Sequence, residues 1–119
     1  MVVGQDMGQV INPEGTIIQA EGCVNMGLGY TLTEDVEFDW GEVKSANFGD
    51  YQLPLFSTIP PIIETELADA MDQPPQGGGE PAIICMGAAV ANAVFEACGA
   101  RVFRMPFTKE RVLEAIKNF

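Results

Sequence analysis

The chain has 119 residues, of which 47% are hydrophobic: enough to build a core, and too apolar for a disordered tail. A formal charge of −11, without any Lys/Arg cluster to track phosphates, argues against a nucleic-acid surface. The absence of histidine removes His-dependent triads, and Cys23, Cys85 and Cys98 lack the spacing of a structural zinc site or a disulfide framework.

The cysteines are therefore expected to be free and no metal ligands are expected. The start, Met1 to Gly8, has neither a basic nor an apolar leader region, so no signal peptide is expected. No repeat or internal boundary is evident, and residues 1–119 read as one unit. The order of elements is β, α, β, β, α, β, α, an α+β arrangement with buried helices.

Val2-Val3 opens a short strand. Asn12-Pro13-Glu14-Gly15 reads as a turn into a helix that runs to about Leu32. Ile17, Ala20, Val24, Leu28 and Leu32 recur at helical spacing and form its expected inward face. Gly15, Gly22 and Gly29 recur every seven residues and stack on one side. Each interior glycine costs about 1 kcal/mol relative to alanine, so the stripe implies a backbone or ligand lying against it. Gln19 shares that side. It could hydrogen-bond a flat polar ligand, or it could bond a neighbouring loop where the helix packs closely.

Thr33 to Trp40 alternates, with Val36, Phe38 and Trp40 on one side, and predicts a half-buried strand before a turn at Gly41-Glu42. Val43 to Pro61 is rich in loop residues. Ile62 to Leu67 predicts a strand with Ile63 and Leu67 on one face. Asp69 to Gly79 is a long Pro/Gly loop, of a length that is usually functional or mobile.

The next helix follows that loop directly. Ala82 to Gly99 is apolar except for Asn92 and Glu96, so most of its circumference is expected to be buried. Its length approaches that of a membrane span, but its alanine content and two polar residues argue against one. Pro81 suits the first helical position and Gly99 the residue just past the end. Glu80 then stands at the helix start, behind Gly77-Gly78-Gly79. A helix start of this kind ordinarily favours an anion, but here a carboxylate already occupies the place. A carboxylate fixed at the mouth of a glycine-lined loop can serve as a general base. The alternative is a flexible loop before a core helix whose first residue happens to be acidic. After it, Arg101 to Phe107 reads as extended. Thr108 caps a last helix with Val112, Leu113 and Ile116 on its apolar face.

Gln19-Ala20-Glu21-Gly22, Gly27-Leu28-Gly29 and Gly79-Glu80-Pro81, with Asp6-Met7-Gly8 through Pro13 before them, carry a resemblance. They are similar to the C-terminal part of the molybdopterin-binding large subunit of the xanthine dehydrogenase/aldehyde oxidase family. The stretch Gly79 to Ala93 with Gly99-Ala100-Arg101 and Met105-Pro106 resembles its isoquinoline 1-oxidoreductase-like branch. The resemblance covers nearly the whole chain. It implies that Glu80 is the active-site base for oxidising an aldehyde or N-heterocycle with water as oxygen source. It implies that Gln19 and Gly79 contact a molybdopterin-type cofactor, and that the iron–sulfur clusters belong to a partner domain or subunit. The family's subunit is several times longer, so the resemblance implies a fragment or split subunit that is inactive alone. Its expected partners are the remainder of the molybdenum subunit and an iron–sulfur subunit, in the cytoplasm or in the periplasm through a partner chain. Isolated, it is expected to self-associate. The rival expectation is a non-catalytic module that kept the fold for binding or interaction.

Overall fold

The computed structural model describes residues 1–118. Strand β1 (Val2–Gln5) leads to helix α1 (Pro13–Leu32), followed by the short strands β2 (Phe38–Asp39) and β3 (Glu42–Val43) and by strand β4 (Glu64–Leu67). Helices α2 (Pro81–Ile84), α3 (Met86–Cys98) and α4 (Lys109–Lys117) complete the chain. The expected mix of helix and strand is present. β1 pairs in parallel with β4, with Val3 opposite Thr65 and Gln5 opposite Leu67, whereas β2 and β3 form an antiparallel hairpin.

Local chemistry explains the helix ends. Asn12 caps α1: its side-chain oxygen accepts from Gly15 N at 3.0 Å, and Pro13 holds the first helical position. Gly99 ends α3 in the left-handed conformation, at φ 77°, and its N–H returns to Phe95 O at 2.6 Å. Thr108 caps α4 by accepting from Arg111 N. In β4, Thr65 and Leu67 lean inward with Ile63, while Glu64 and Glu66 are exposed.

Burial departs from the periodicity of the large apolar residues. Ala20, Cys23, Val24, Gly27 and Thr31 form the buried side of α1, whereas Leu32 is exposed. The innermost cluster is Ala20, Cys23 and Ala82, with Val3 and Ile83 packed on it. Small side chains let α1 lie close against α2, α3 and β4, so close approach decides which face is covered. Gly27 is a point of close approach to the next helices, because a Cβ there would sit 2.6 Å from Met86 Cβ and 3.4 Å from Ile83 Cγ1. The glycines spaced by seven do not share one contact. Gly15 meets the Asn12 cap, Gly22 faces open space, and Gly29 lies against Glu34 and Pro54. Tyr30 ties the helices together by donating its hydroxyl to Ile83 O at 2.6 Å.

Three expectations are corrected. Thr33 to Trp40 is not a half-buried strand. Only Phe38 and Asp39 pair, in a hairpin turning at Trp40 and Gly41, both with positive φ, and Trp40 is 99% exposed. Such a two-residue turn matches the twist of the flanking strands. Arg101 to Phe107 is irregular, and Phe107 N donates to Thr31 O at 2.6 Å in place of a strand ladder. The apolar run after Pro81 is broken at Cys85, and Met86 is the buried residue of α3. Pro81–Cys98 has a mean hydropathy of 1.6, long and apolar enough to cross a membrane, yet only 11% of it is buried. α1 covers one side of it.

Candidate active site

The long loop from Asp69 to Gly79 is held in place by the segment after β1. Gln76 N donates to Met7 O at 2.8 Å and Gln9 N donates to Gln73 O at 3.0 Å. Gly8, at φ +70°, lies where any Cβ would overlap the Pro74 carbonyl, so the two backbones touch. The Met7 side chain covers Gly78, its Sδ 2.7 Å from where a Gly78 Cβ would be. Gln5, buried beneath, directs its Nε2 to Met7 Sδ at 3.6 Å. The loop length left open whether this segment is mobile. The contacts give it one path, which delivers Gly79 to α1.

There the Gly79 carbonyl meets two donors. Gln19 Nε2 donates to it at 2.7 Å and Cys23 Sγ at 3.1 Å. Residues four apart lie one above the other on a helix face, so α1 presents both groups to the same oxygen. Gln19 thus bonds a neighbouring loop, and that loop is the one carrying Glu80. The structure brings Gln19, Gly79 and Glu80 together. Cys23 and the Met7-Gly8 contact were not singled out as site residues. The signal for Cys23 was its spacing of four from Gln19, and for Gly8 a glycine in the stretch similar to the family.

Glu80 occupies the N-cap position of α2, ahead of Pro81, with its backbone oxygen accepting from Ile83 N at 3.0 Å. Its carboxylate makes no capping hydrogen bond, which leaves it free for another proton or ligand. Gln19, Gly22, Gly79 and Glu80 are all exposed. A Cβ on Gly22 or Gly79 would meet nothing within 4 Å. The apolar groove between β1 and α2, lined by Val3, Gly4, Ala82 and Met86, includes neither Gln19 nor Glu80. The carboxylate therefore stands on an open face.

That face fits a flat polar group. Gln19 Nε2 is engaged by Gly79 O and, at 3.8 Å, by Cys23 Sγ, while among the described residues Gln19 Oε1 has no partner, so the carboxamide offers an acceptor. Two glycines beside it leave room for a close approach. Among the described residues no three Asp, Glu or Cys side chains cluster to ligate an ion. The face offers a hydrogen-bond acceptor and a carboxylate, not a metal-ligand set.

A family profile described as a molybdopterin cofactor-binding domain matches residues 1–60. A nicotinate dehydrogenase subunit of Pseudomonas putida is 37% identical over 116 residues, covering 98% of this chain and 10% of that protein. A probable xanthine dehydrogenase subunit of Bacillus subtilis is 33% identical, over 92% of this chain and 15% of that protein. Among solved structures, quinoline 2-oxidoreductase from Pseudomonas putida 86 superposes with a TM-score of 0.86 at 28% identity, over 98% of this chain and 16% of the other. The chain spans between 10% and 16% of the length of these relatives.

Proposed function

This chain belongs to the molybdopterin cofactor-binding family of xanthine dehydrogenase-type molybdenum subunits, and from that premise we propose that it is the part of a molybdenum hydroxylase that supplies the catalytic base, Glu80. The observation that carries this reading is the Glu80 carboxylate itself. It is uncapped and exposed at a helix start, and the carbonyl just before it is fixed by two donors from α1.

When bound, the molybdenum cofactor supplies the two-electron oxidation. The chain's own residues hold and deprotonate. Gln19 Oε1 would accept from a donor on the polar edge of the pterin, and Gly79 and Gly22 would leave it room to approach. A Glu80 carboxylate oxygen takes the proton from the water-derived nucleophile that attacks an electron-poor carbon of an aldehyde or N-heterocycle. The remainder of the molybdenum subunit and an iron–sulfur partner complete the enzyme in this reading. The test is to assemble the chain with those partners and offer quinoline, nicotinate and an aromatic aldehyde in ¹⁸O-water. A hydroxylated product carrying the label is expected. Label drawn from dioxygen, or no product from any of the three, would overturn the reading.

The same reading explains the uncovered apolar surface. Trp40, Phe48, Phe56 and Phe103 are each at least 90% exposed, which is uncommon unless a partner lies over them. The remainder of the subunit, rather than lipid, is the proposed cover for these residues and for α3. The isolated chain is therefore expected to self-associate and to purify without molybdenum, since one carboxamide and two glycines are too few contacts to retain a large pterin. Light scattering and elemental analysis check both. A stable monomer carrying stoichiometric metal would show a complete site instead.

A further inference from the structure

We propose that Cys23 is a positioning residue for Glu80, acting through the Gly79 carbonyl. The proposal rests on the reading of Glu80 as the base. The Cys23 thiol is buried, at 4% exposure, in the innermost cluster of the core, and its Sγ lies 3.1 Å from Gly79 O. Gln19 Nε2 reaches the same oxygen at 2.7 Å, but from an exposed position where water competes for the bond. A thiol is the weaker donor, yet this one is shielded from that competition.

The Gly79–Glu80 peptide needs such a hold. It closes a run of three glycines, the residues with the most backbone freedom to lose. Gly79 has no side chain to pack, nothing lies within 4 Å of where its Cβ would be, and the Glu80 side chain makes no capping bond. The Met7 and Gly8 contacts act upstream, at Gly78 and Pro74. The last peptide plane is held on its Gly79 side by the pair of donors on α1, and Glu80 O, accepting from Ile83 N at 3.0 Å, holds the far side, so the direction of the Glu80 Cα–Cβ bond depends on both. Because α1 is a 20-residue helix anchored in the core at Ala20 and Val24, the backbone that carries both donors is fixed, and the buried Cys23 thiol is fixed with it.

The test uses the assembled, cofactor-loaded enzyme in four forms: wild type, Cys23→Ala, Cys23→Ser and Glu80→Gln. A misplacement of about 1 Å at a reacting group can cost up to about 100-fold, and loss of one of two holds is expected to cost about tenfold in kcat. Cys23→Ala should show that loss with KM and molybdenum content within about twofold of wild type. Deuterium exchange should be faster in the peptide spanning residues 76–84. Cys23→Ser, which keeps a donor, should recover most of the rate. Wild-type kcat and exchange in Cys23→Ala would overturn the positioning role. So would Ala and Ser variants impaired alike, because that pattern reports packing and not the hydrogen bond. A collapse in Glu80→Gln alongside a normal Cys23→Ala would leave the base reading standing and remove only Cys23. Near wild-type turnover in Glu80→Gln would remove the base reading itself. If Cys23→Ala does not assemble, Cys23→Val, which fills the site without offering a donor, takes its place.

Discussion

Replacing Glu80 with Gln in the assembled enzyme is expected to lower kcat by about 10²–10⁴-fold, the usual cost of losing a positioned base. The substitution keeps the size and a polar end while removing the proposed proton acceptor. Structure should be nearly indifferent to it, because Glu80 is exposed and its side chain makes no capping hydrogen bond. What the fold loses is a first-turn charge near a helix start, a small surface effect screened by salt. Molybdenum content and melting temperature should therefore match wild type. The measurement is steady-state kinetics with cofactor quantified on the same preparation. A Gln variant that turns over substrate at near wild-type rate, with full cofactor, would reduce Glu80 to an unusual helix cap.

Gly27→Val should damage the packing of α1 severely. The substitution gains a few tenths of a kcal/mol in helix propensity. Against that, its first carbon would already lie 2.6 Å from Met86 Cβ, an atom fixed to the backbone of α3 and not the tip of a flexible chain. The two further methyl groups of valine have no space at all. Overpacking of this kind costs about 1–3 kcal/mol and more where backbones must part, so a net loss of about 2–3 kcal/mol is expected. For a domain of this size that corresponds to a fall of about 10 °C in melting temperature by calorimetry. Separation of α1 from α2 and α3 would also stretch the bond from Tyr30 to Ile83 O, three residues from Glu80. Gly22→Ala is the control. Its Cβ meets nothing within 4 Å, so the chain alone should gain up to about 1 kcal/mol. If both substitutions changed stability alike, the close approach at Gly27 would not be a constraint on the fold.

The sequence by itself determined the elements whose ends depend on neighbouring residues. Asn12 and Pro13 start α1, Glu80 and Pro81 start α2, Gly99 ends α3 and Thr108 starts α4, each where its cap chemistry put it. The alternation of Ile63, Thr65 and Leu67 against Glu64 and Glu66 likewise survived folding. These helix ends rest on local chemistry, a side chain meeting a nearby backbone group at Asn12 and Thr108 and the backbone φ that Pro81 and Gly99 supply, and that chemistry is written in the order of residues. The motifs around Gln19, Gly79 and Glu80 also marked the family before any geometry was known. Tertiary structure decided which faces are covered and what the motif residues touch. Val36, Phe38 and Trp40 alternate like a buried strand yet stand exposed, because alternation says that one side is apolar and not that anything lies over it. The buried face of α1 follows Ala20, Cys23 and Gly27 because small side chains permit the close approach of a second element, a property of the pair and not of the helix. The grip of Cys23 and Gln19 on Gly79 spans 56 and 60 residues of sequence. No local pattern encodes such a contact. It forms because β1, α1 and the stapled loop converge, and convergence is a consequence of packing.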